Sequence, residues 1–392
     1  MNTDSKFIHL LKLTIAILFF LILWFPIIQM IHPILPEMKS TENRELVKKP
    51  KIRFSLKALR NYTKQLNMYL NDHYGFRNFI IRVNCMIHIN LLHTSPTRDV
   101  VLGREGWLYW DNNNYGNNLK DFYGESNFSE ANLDNIIENI IKIDRFCEER
   151  GILFKIVLAP NKHTIYPEFL PLNIKNRQGA STRLDQVKDY LIRNKLESVL
   201  IDLRPTLVLS KNMEFHPLYY LTDTHWNQLG AFIAYTEIVK NLRLRYPQIR
   251  ILDIKNYRVV TKENNGLGDL AGFISMSGLL KDMEIVLEPQ TPDLAKKIDS
   301  GIELGWISIK RYHIEKCNYP KLLMFGDSFI VSLLPYLSES FSDSLYLWPY
   351  TVDFSIIKKE NPQIVILELA ERNLQFLSNP LPMAFEKIQG KS

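Results

Sequence analysis

An α/β fold is predicted for this chain: a mainly parallel sheet with helices on both faces, preceded by an N-terminal transmembrane helix and a short helical segment. Two observations predict it. From Val100 onward, short β-branched and apolar runs alternate with stretches at helical spacing, as expected of strands joined through crossover helices. Upstream, Leu13 to Ile31 is almost wholly apolar. The chain therefore divides into residues 1–35 (a cytoplasmic tip and membrane anchor), 36–97 (a linker and helical segment) and 98–392 (the α/β domain).

Taken in order, the apolar run of nineteen residues reaches about 28 Å as a helix, close to the hydrocarbon thickness of a bilayer. Lys6 and Lys12 flank its start, while Glu37 and Lys39 follow it. The positive-inside rule then places the N-terminus in the cytoplasm and the rest outside. A cleaved signal peptide is the alternative, but Pro33-Ile-Leu-Pro-Glu37 lacks a small-x-small cleavage site. The charged stretch Thr41–Lys51 reads as a linker. Leu56, Leu59, Leu66 and Leu70 form one helical stripe, and Ile80 to Leu92 a second apolar helix. Asp72-His73, in the break between them, is expected to cap and pack that hairpin.

In the α/β part, Val100–Leu102 and Gly106–Tyr109 are expected as short strands. Leu133 to Ile143 should be a helix capped by Ser129, and Ile152–Ala159 a buried strand. A helix around Leu184–Ile192, a strand at Val199–Leu203 and a helix after Asn227 follow. Strands at Lys321–Phe325 and Ile364–Leu369 complete the prediction.

Composition bounds the function. With 46% hydrophobic and 11% aromatic residues among 392, the chain can bury a sizeable core. Its net charge of +6 is that of a slightly basic globular protein, and also suits an acidic polymer or membrane surface. No Lys/Arg block interleaved with aromatics points to nucleic acid. Cys85, Cys147 and Cys317 are too few for a disulfide scaffold and lack metal-ligand spacing. Gly266-Leu-Gly268 lacks the strand–turn–helix setting of a dinucleotide fingerprint. Neither a metal nor a cofactor is expected.

Two stretches carry chemistry. In Lys321-Leu-Leu-Met-Phe-Gly-Asp-Ser-Phe-Ile330 a buried strand runs into a turn, and Ser328 opens an apolar helical run. A serine there is lifted above the sheet edge at a helix N-terminus, which favours a developing oxyanion. In Leu221-Thr-Asp-Thr-His-Trp-Asn-Gln-Leu-Gly230, Asp223 and His225 stand two apart in a polar turn. The carboxylate can take the imidazole Nδ1–H and leave Nε2 for the serine, which completes the roles of nucleophile, base and orienting acid. Singly, each of these residues reads as a helix cap or surface group; jointly they supply all three roles. Asn161 and Lys162 leave the same C-terminal sheet edge, where ligands bind in such folds. They are candidates to complete an oxyanion hole or hold a sugar carboxylate, with Trp226 stacking on a sugar face. Glu371-Arg372, also at that edge, reads as structural.

These motifs, Asp-Thr-His-Trp-Asn and Phe-Gly-Asp-Ser-Phe, resemble the signature of the alginate O-acetyltransferase family of the AlgJ and AlgX type. In that family an SGNH-hydrolase-like domain carries the Asp-x-His segment before the serine. Asp72-His-Tyr-Gly-Phe-Arg77, Gly103-Arg-Glu-Gly-Trp-Leu-Tyr109, Ala159-Pro-Asn-Lys162, Ile165-Tyr-Pro-Glu168, Gly268-Asp-Leu270 and Glu371-Arg372 resemble segments of such proteins in the same order. The likeness runs from about Glu42 to Leu374, and it is closer to the AlgJ type because little chain follows the last strand–helix unit. It implies an SGNH-hydrolase-like catalytic domain in the periplasm, held at the inner membrane by a signal anchor. It also implies acetyl transfer to an exported polysaccharide, beside an integral membrane O-acyltransferase that brings the acetyl group across. The residues alone leave the acceptor open between a sugar hydroxyl and water. A carbohydrate acetyl esterase and a non-catalytic glycan-binding assembly subunit are the alternatives.

Overall fold

The computed structural model describes residues 3–36, 45–51, 56–111, 117–266, 268–300 and 309–381. The chain forms two compact units, Met1–Thr97 with Gly272–Ser277, and Arg98–Ala271 with Gly278–Ser392.

Among its described residues the first unit holds the helices α1 (Thr3–Ile31), α2 (Leu56–His73) and α3 (Arg77–Asn90). Within α1, Phe7–Ile31 has a mean hydropathy of 2.5 and is long and apolar enough to cross a membrane. Gln29 is the buried polar residue near its end. The Gln29 side chain accepts the Ile34 and Leu35 N–H groups at 2.9 and 3.1 Å and donates to the Leu35 carbonyl at 2.7 Å. It thereby satisfies backbone groups just beyond the helix, where no intrahelical partner exists. Asp72 and His73, expected to cap and pack the hairpin, instead hold the segment upstream of α2: Asp72 accepts the Val47 N–H at 2.8 Å, and His73 Nε2 lies 2.9 Å from the Val47 carbonyl. The expected linker Thr41–Lys51 falls partly outside the described residues, as do the side chains of Leu56 and Leu59.

Among the described residues the second unit is built on eleven strands: β1 (Val100–Leu102), β2 (Leu108–Trp110), β3 (Leu153–Ala159), β4 (Leu200–Asp202), β5 (Tyr257–Asn264), β6 (Asp282–Pro289), β7 (Lys296–Ile298), β8 (Ile309–His313), β9 (Leu322–Phe325), β10 (Asp343–Leu347) and β11 (Ile364–Ala370). Seven of them form one sheet in the order β4-β3-β11-β9-β10-β8-β7. Its first five strands are parallel, and β8 and β7 extend it antiparallel. Alternate residues of each central strand enter opposite cores. Leu322, Met324, Ile364 and Ile366 lie in one, while Leu323, Phe325, Val365 and Leu367 lie in the other. A strand buried on both faces is nearly continuously apolar, which is why β9 reads as an unbroken hydrophobic run and β11 departs from one only at Glu368.

Helices cover both faces. On one side lie α4 (Glu130–Glu148) and α5 (Arg183–Arg193), through Ile136, Ile140, Leu184 and Val187. On the other lie α6 (Gln228–Leu242) and α7 (Ile330–Leu337), through Ala234, Ile238, Leu333 and Leu337. Ser129 caps α4 by accepting the Asn132 N–H, as its position predicted. Five strands were not anticipated: the hairpin β5–β6, and β7, β8 and β10. Cys85, Cys147 and Cys317 are free thiols, the first two buried.

Candidate active site

Because β3, β11 and β9 run parallel, their C-terminal ends deliver Asn161, Glu371 and Ser328 to one sheet edge. Ser328 sits in the turn after β9, and α7 begins only at Ile330. The serine is therefore two residues ahead of the helix it was expected to open. Its carbonyl accepts the Val331 N–H at 3.2 Å. Asp327 shapes this turn: Oδ1 accepts the Phe329 N–H at 3.0 Å, and Oδ2 accepts from the Ala370 N–H and the Asn373 amide at 2.7 Å each. The acid of Gly-Asp-Ser is thus a tether between the ends of β9 and β11. Beneath it, burial and the Asp327 charge push the Glu368 carboxyl well above the usual range.

The second arm is a loop closed by the Tyr219–Trp226 bridge and by the Asn227 N–H, which donates to the Leu218 carbonyl at 2.9 Å. Asn227 also caps α6, its Oδ1 accepting from the Leu229 and Gly230 N–H groups. At the loop tip the Asp223 Oδ1 lies 2.6 Å from His225 Nδ1, and His225 Nε2 lies 2.6 Å from the Ser328 Oγ. An ionised carboxylate only accepts, so Nδ1 donates to it and Nε2 is left to accept the serine hydroxyl. Burial raises the Asp223 carboxyl. The His225 hydrogen bond and the backbone N–H groups of Asp269 and His225 outweigh that and hold it well below the usual range.

Asp269 was not foreseen as part of this arrangement. Its N–H donates to Asp223 Oδ2 at 3.0 Å, and its carboxylate accepts the Thr224 N–H and hydroxyl at 2.8 and 2.6 Å. That carboxylate also stands 3.9 Å from His225 Nδ1. The signal was Gly268-Asp-Leu270: a Cβ on Gly268 would collide with the Thr222 carbonyl, so only glycine brings Asp269 this close. Asp223, His225 and Asp269 each offer a ligand atom within 4.8 Å of the others, among the described residues. Their oxygens and nitrogens are, however, already engaged with one another and with Thr224.

Burial first, and then the Asp223 charge, raise the Asp269 carboxyl. A carboxyl raised by folding destabilises the folded state where it is ionised and ceases to do so as pH falls through its raised value. Asp269→Asn is therefore expected to raise the thermal midpoint near neutral pH. The gain should vanish below the usual carboxylate range, where wild type is also neutral. Melting curves across that window check it; an equal gain at every pH overturns the account.

The three expected sugar contacts fare differently. Trp226 is fully buried, edge-on to Phe329 at 4.9 Å between ring centroids, and no ring face is left for a sugar. Lys162 is turned inward too, its Nζ donating to the Leu108 and Leu221 carbonyls at 2.8 and 3.1 Å. Burial pulls its ammonium down to about 8, while Asp223, Asp269 and Asp282 keep it from falling further. Lys162 thus ties the loop that carries His225 to β2 and is not placed to meet a uronate. Asn161 is buried, with its N–H on the Glu371 carboxylate at 2.8 Å. Glu371 also accepts the Thr164 hydroxyl at 2.6 Å, and burial pushes its carboxyl up to about 7. Arg372 lies over the rings of Trp110 and Phe329 at 5.1 and 5.0 Å.

Known proteins share this architecture. The "Probable alginate O-acetylase AlgJ" of Pseudomonas aeruginosa is 24% identical over 53% of this chain and 49% of its own length. The protein of the same name from Pseudomonas syringae pv. tomato is 21% identical over 80% of this chain and 78% of its own. The chain spans about half the length of the first curated relatives it matches. Among solved structures, Bacillus cereus PatB1 with a sulfonyl adduct covers 71% of this chain and 97% of its own at 16% identity. Its TM-score of 0.51 marks a likeness of fold. Residues 100–301, which include Asp223, His225 and Asp269 but stop short of Ser328, match the SGNH hydrolase-like domain described for the acetyltransferase AlgX. With just over half of its length matched, the chain belongs to that SGNH hydrolase-like AlgX family.

Proposed function

We propose that this chain is an O-acetyltransferase that moves acetyl through an acetyl-Ser328 intermediate onto hydroxyls of an exported, alginate-like polysaccharide. The observation that carries the reading is the unbroken relay from Asp223 through His225 to the Ser328 Oγ. In it, His225 takes the Ser328 proton as Oγ attacks the carbonyl carbon of an acetyl ester. The C–O bond to the donor alcohol breaks, and the leaving oxygen takes that proton from His225. A sugar hydroxyl then gives its own proton to His225 and attacks the acetyl-serine carbonyl; the bond from that carbon to the Ser328 Oγ breaks, and His225 returns the proton to Oγ. Asp223 stays ionised throughout, holds the imidazole in the productive tautomer and stabilises the imidazolium. The Ser328 N–H and the Asn161 side-chain amide are the proposed oxyanion and substrate contacts. No metal or cofactor enters the scheme.

In this reading residues 1–35 anchor the protein in the inner membrane and residues 98–392 work in the periplasm. An integral membrane O-acyltransferase supplies the acetyl group, and residues 36–97 connect anchor and catalyst. The alginate assignment rests on the relatives' names.

The test supplies an acetyl ester donor together with exopolysaccharide oligomers and follows products by mass spectrometry. The expected product is an acetylated oligomer that is absent with Ser328→Ala. Release of acetate alone, from acetylated polymer and with no oligomer accepting it, replaces transferase with esterase. Failure of both reactions, with glycan binding retained, leaves an assembly subunit.

A further inference from the structure

The helix α3 is apolar on the side it turns away from its own unit. Phe79, Ile80, Val83, Met86 and Ile87 recur at the spacing of one helical face, and each is 37% to 54% exposed. The opposite side buries Cys85, and Arg82 donates from it to the Ser277 carbonyl at 2.8 Å. Five large hydrophobic side chains along one exposed helix face mark a surface that something covers.

Three observations name the occupant. The turn into α3 rests on the end of α1: Gly75 lies so close to the Pro26 carbonyl that a Cβ would collide with it, and the Phe76 and Phe25 rings are 5.1 Å apart. Pro26 stands five residues before the end of α1, roughly 8 Å along the helix axis, so α3 starts at the depth of the bilayer's interfacial zone. A cleft of about 440 Å³ lined by Met30, Pro33, Leu35, Phe76 and Phe79 joins the apolar end of α1 to the start of α3. Finally, α3 opens on Arg77 and carries no acidic residue, the charge balance that anionic headgroups attract.

We propose that α3 is a second membrane contact, lying in the outer interface of the anionic phospholipid bilayer with Phe79, Ile80, Val83, Met86 and Ile87 against the acyl chains. The inference rests on α1 being a membrane span. An interfacial helix buries its apolar face ~5–10 Å below the headgroups. Together with α1 it would fix the height and tilt at which the chain leaves the membrane.

The test places a benzophenone amino acid at Val83 or Ile87 of the full chain, in vesicles of phosphatidylethanolamine and phosphatidylglycerol and in native membranes. The same group at Phe19 on α1 reports the span, and at Glu138, exposed on α4, it reports background. On illumination, the expected result is a mass shift of one phospholipid at Val83, Ile87 and Phe19, and none at Glu138. A lipid adduct at Phe19 alone overturns the proposal and leaves the span standing, whether the α3 positions then capture a protein partner, a second copy or nothing. No lipid adduct at Phe19 or on α3 removes both.

Discussion

Replacing Ser328 or His225 by alanine is expected to lower kcat by on the order of a million-fold, and the double variant should lose little more. The expectation follows from a single chain of hydrogen bonds at 2.6 Å each. Without the serine the imidazole has no proton to take; without the imidazole the hydroxyl is a poor nucleophile, so each loss contains the other. Asp223→Ala should retain more activity, because the Thr224 hydroxyl remains 3.3 Å from His225 Nδ1 and the Asp269 carboxylate stays nearby. Comparable triads lose about one to two orders of magnitude less on removal of the orienting acid. Acetyl transfer rates and melting curves of all four variants provide the measurement. Strictly multiplicative losses in the double variant, with each protein folded, would show two groups acting separately.

How far the site could be read in advance depends on how local its determinants are. A strand running into Gly-Asp-Ser and a carboxylate two residues before a histidine are short-range patterns, and the parallel sheet is legible in the apolar runs of β3, β9 and β11. Three things needed the third dimension. Which way Lys162 turns depends on the Leu108 and Leu221 carbonyls, contributed by a distant strand and loop. Asp269 reaches His225 only because Gly268 lets two loops touch. The unforeseen hairpin β5–β6 carries many exposed polar positions with little apolar contrast, and its pairing is set by register between distant segments. The second carboxylate was thus visible as a motif and invisible as a neighbour.

Trp226→Ala is expected to cost about 3–5 kcal/mol of stability, lowering the thermal midpoint by roughly 6–20 °C. The indole is fully buried and stands edge-on to Phe329, whose ring lies 4.8 Å from that of His225. Emptying that space removes the packing behind Phe329, the residue after Ser328, the proposed nucleophile, so activity should fall whichever acceptor is offered. Trp226→Phe separates volume from chemistry. The Trp226 Nε1–H has no hydrogen-bond partner among the described residues, so losing it relieves an unsatisfied buried donor and offsets part of the lost volume. The phenylalanine variant should therefore melt much closer to wild type and keep most of its turnover. A sugar-stacking tryptophan would behave otherwise: its alanine variant would melt normally and divert acetyl from oligosaccharide to water. Calorimetry beside the product ratio tells the two apart, and a normal midpoint with a shifted ratio in Trp226→Ala would place this ring at the substrate after all.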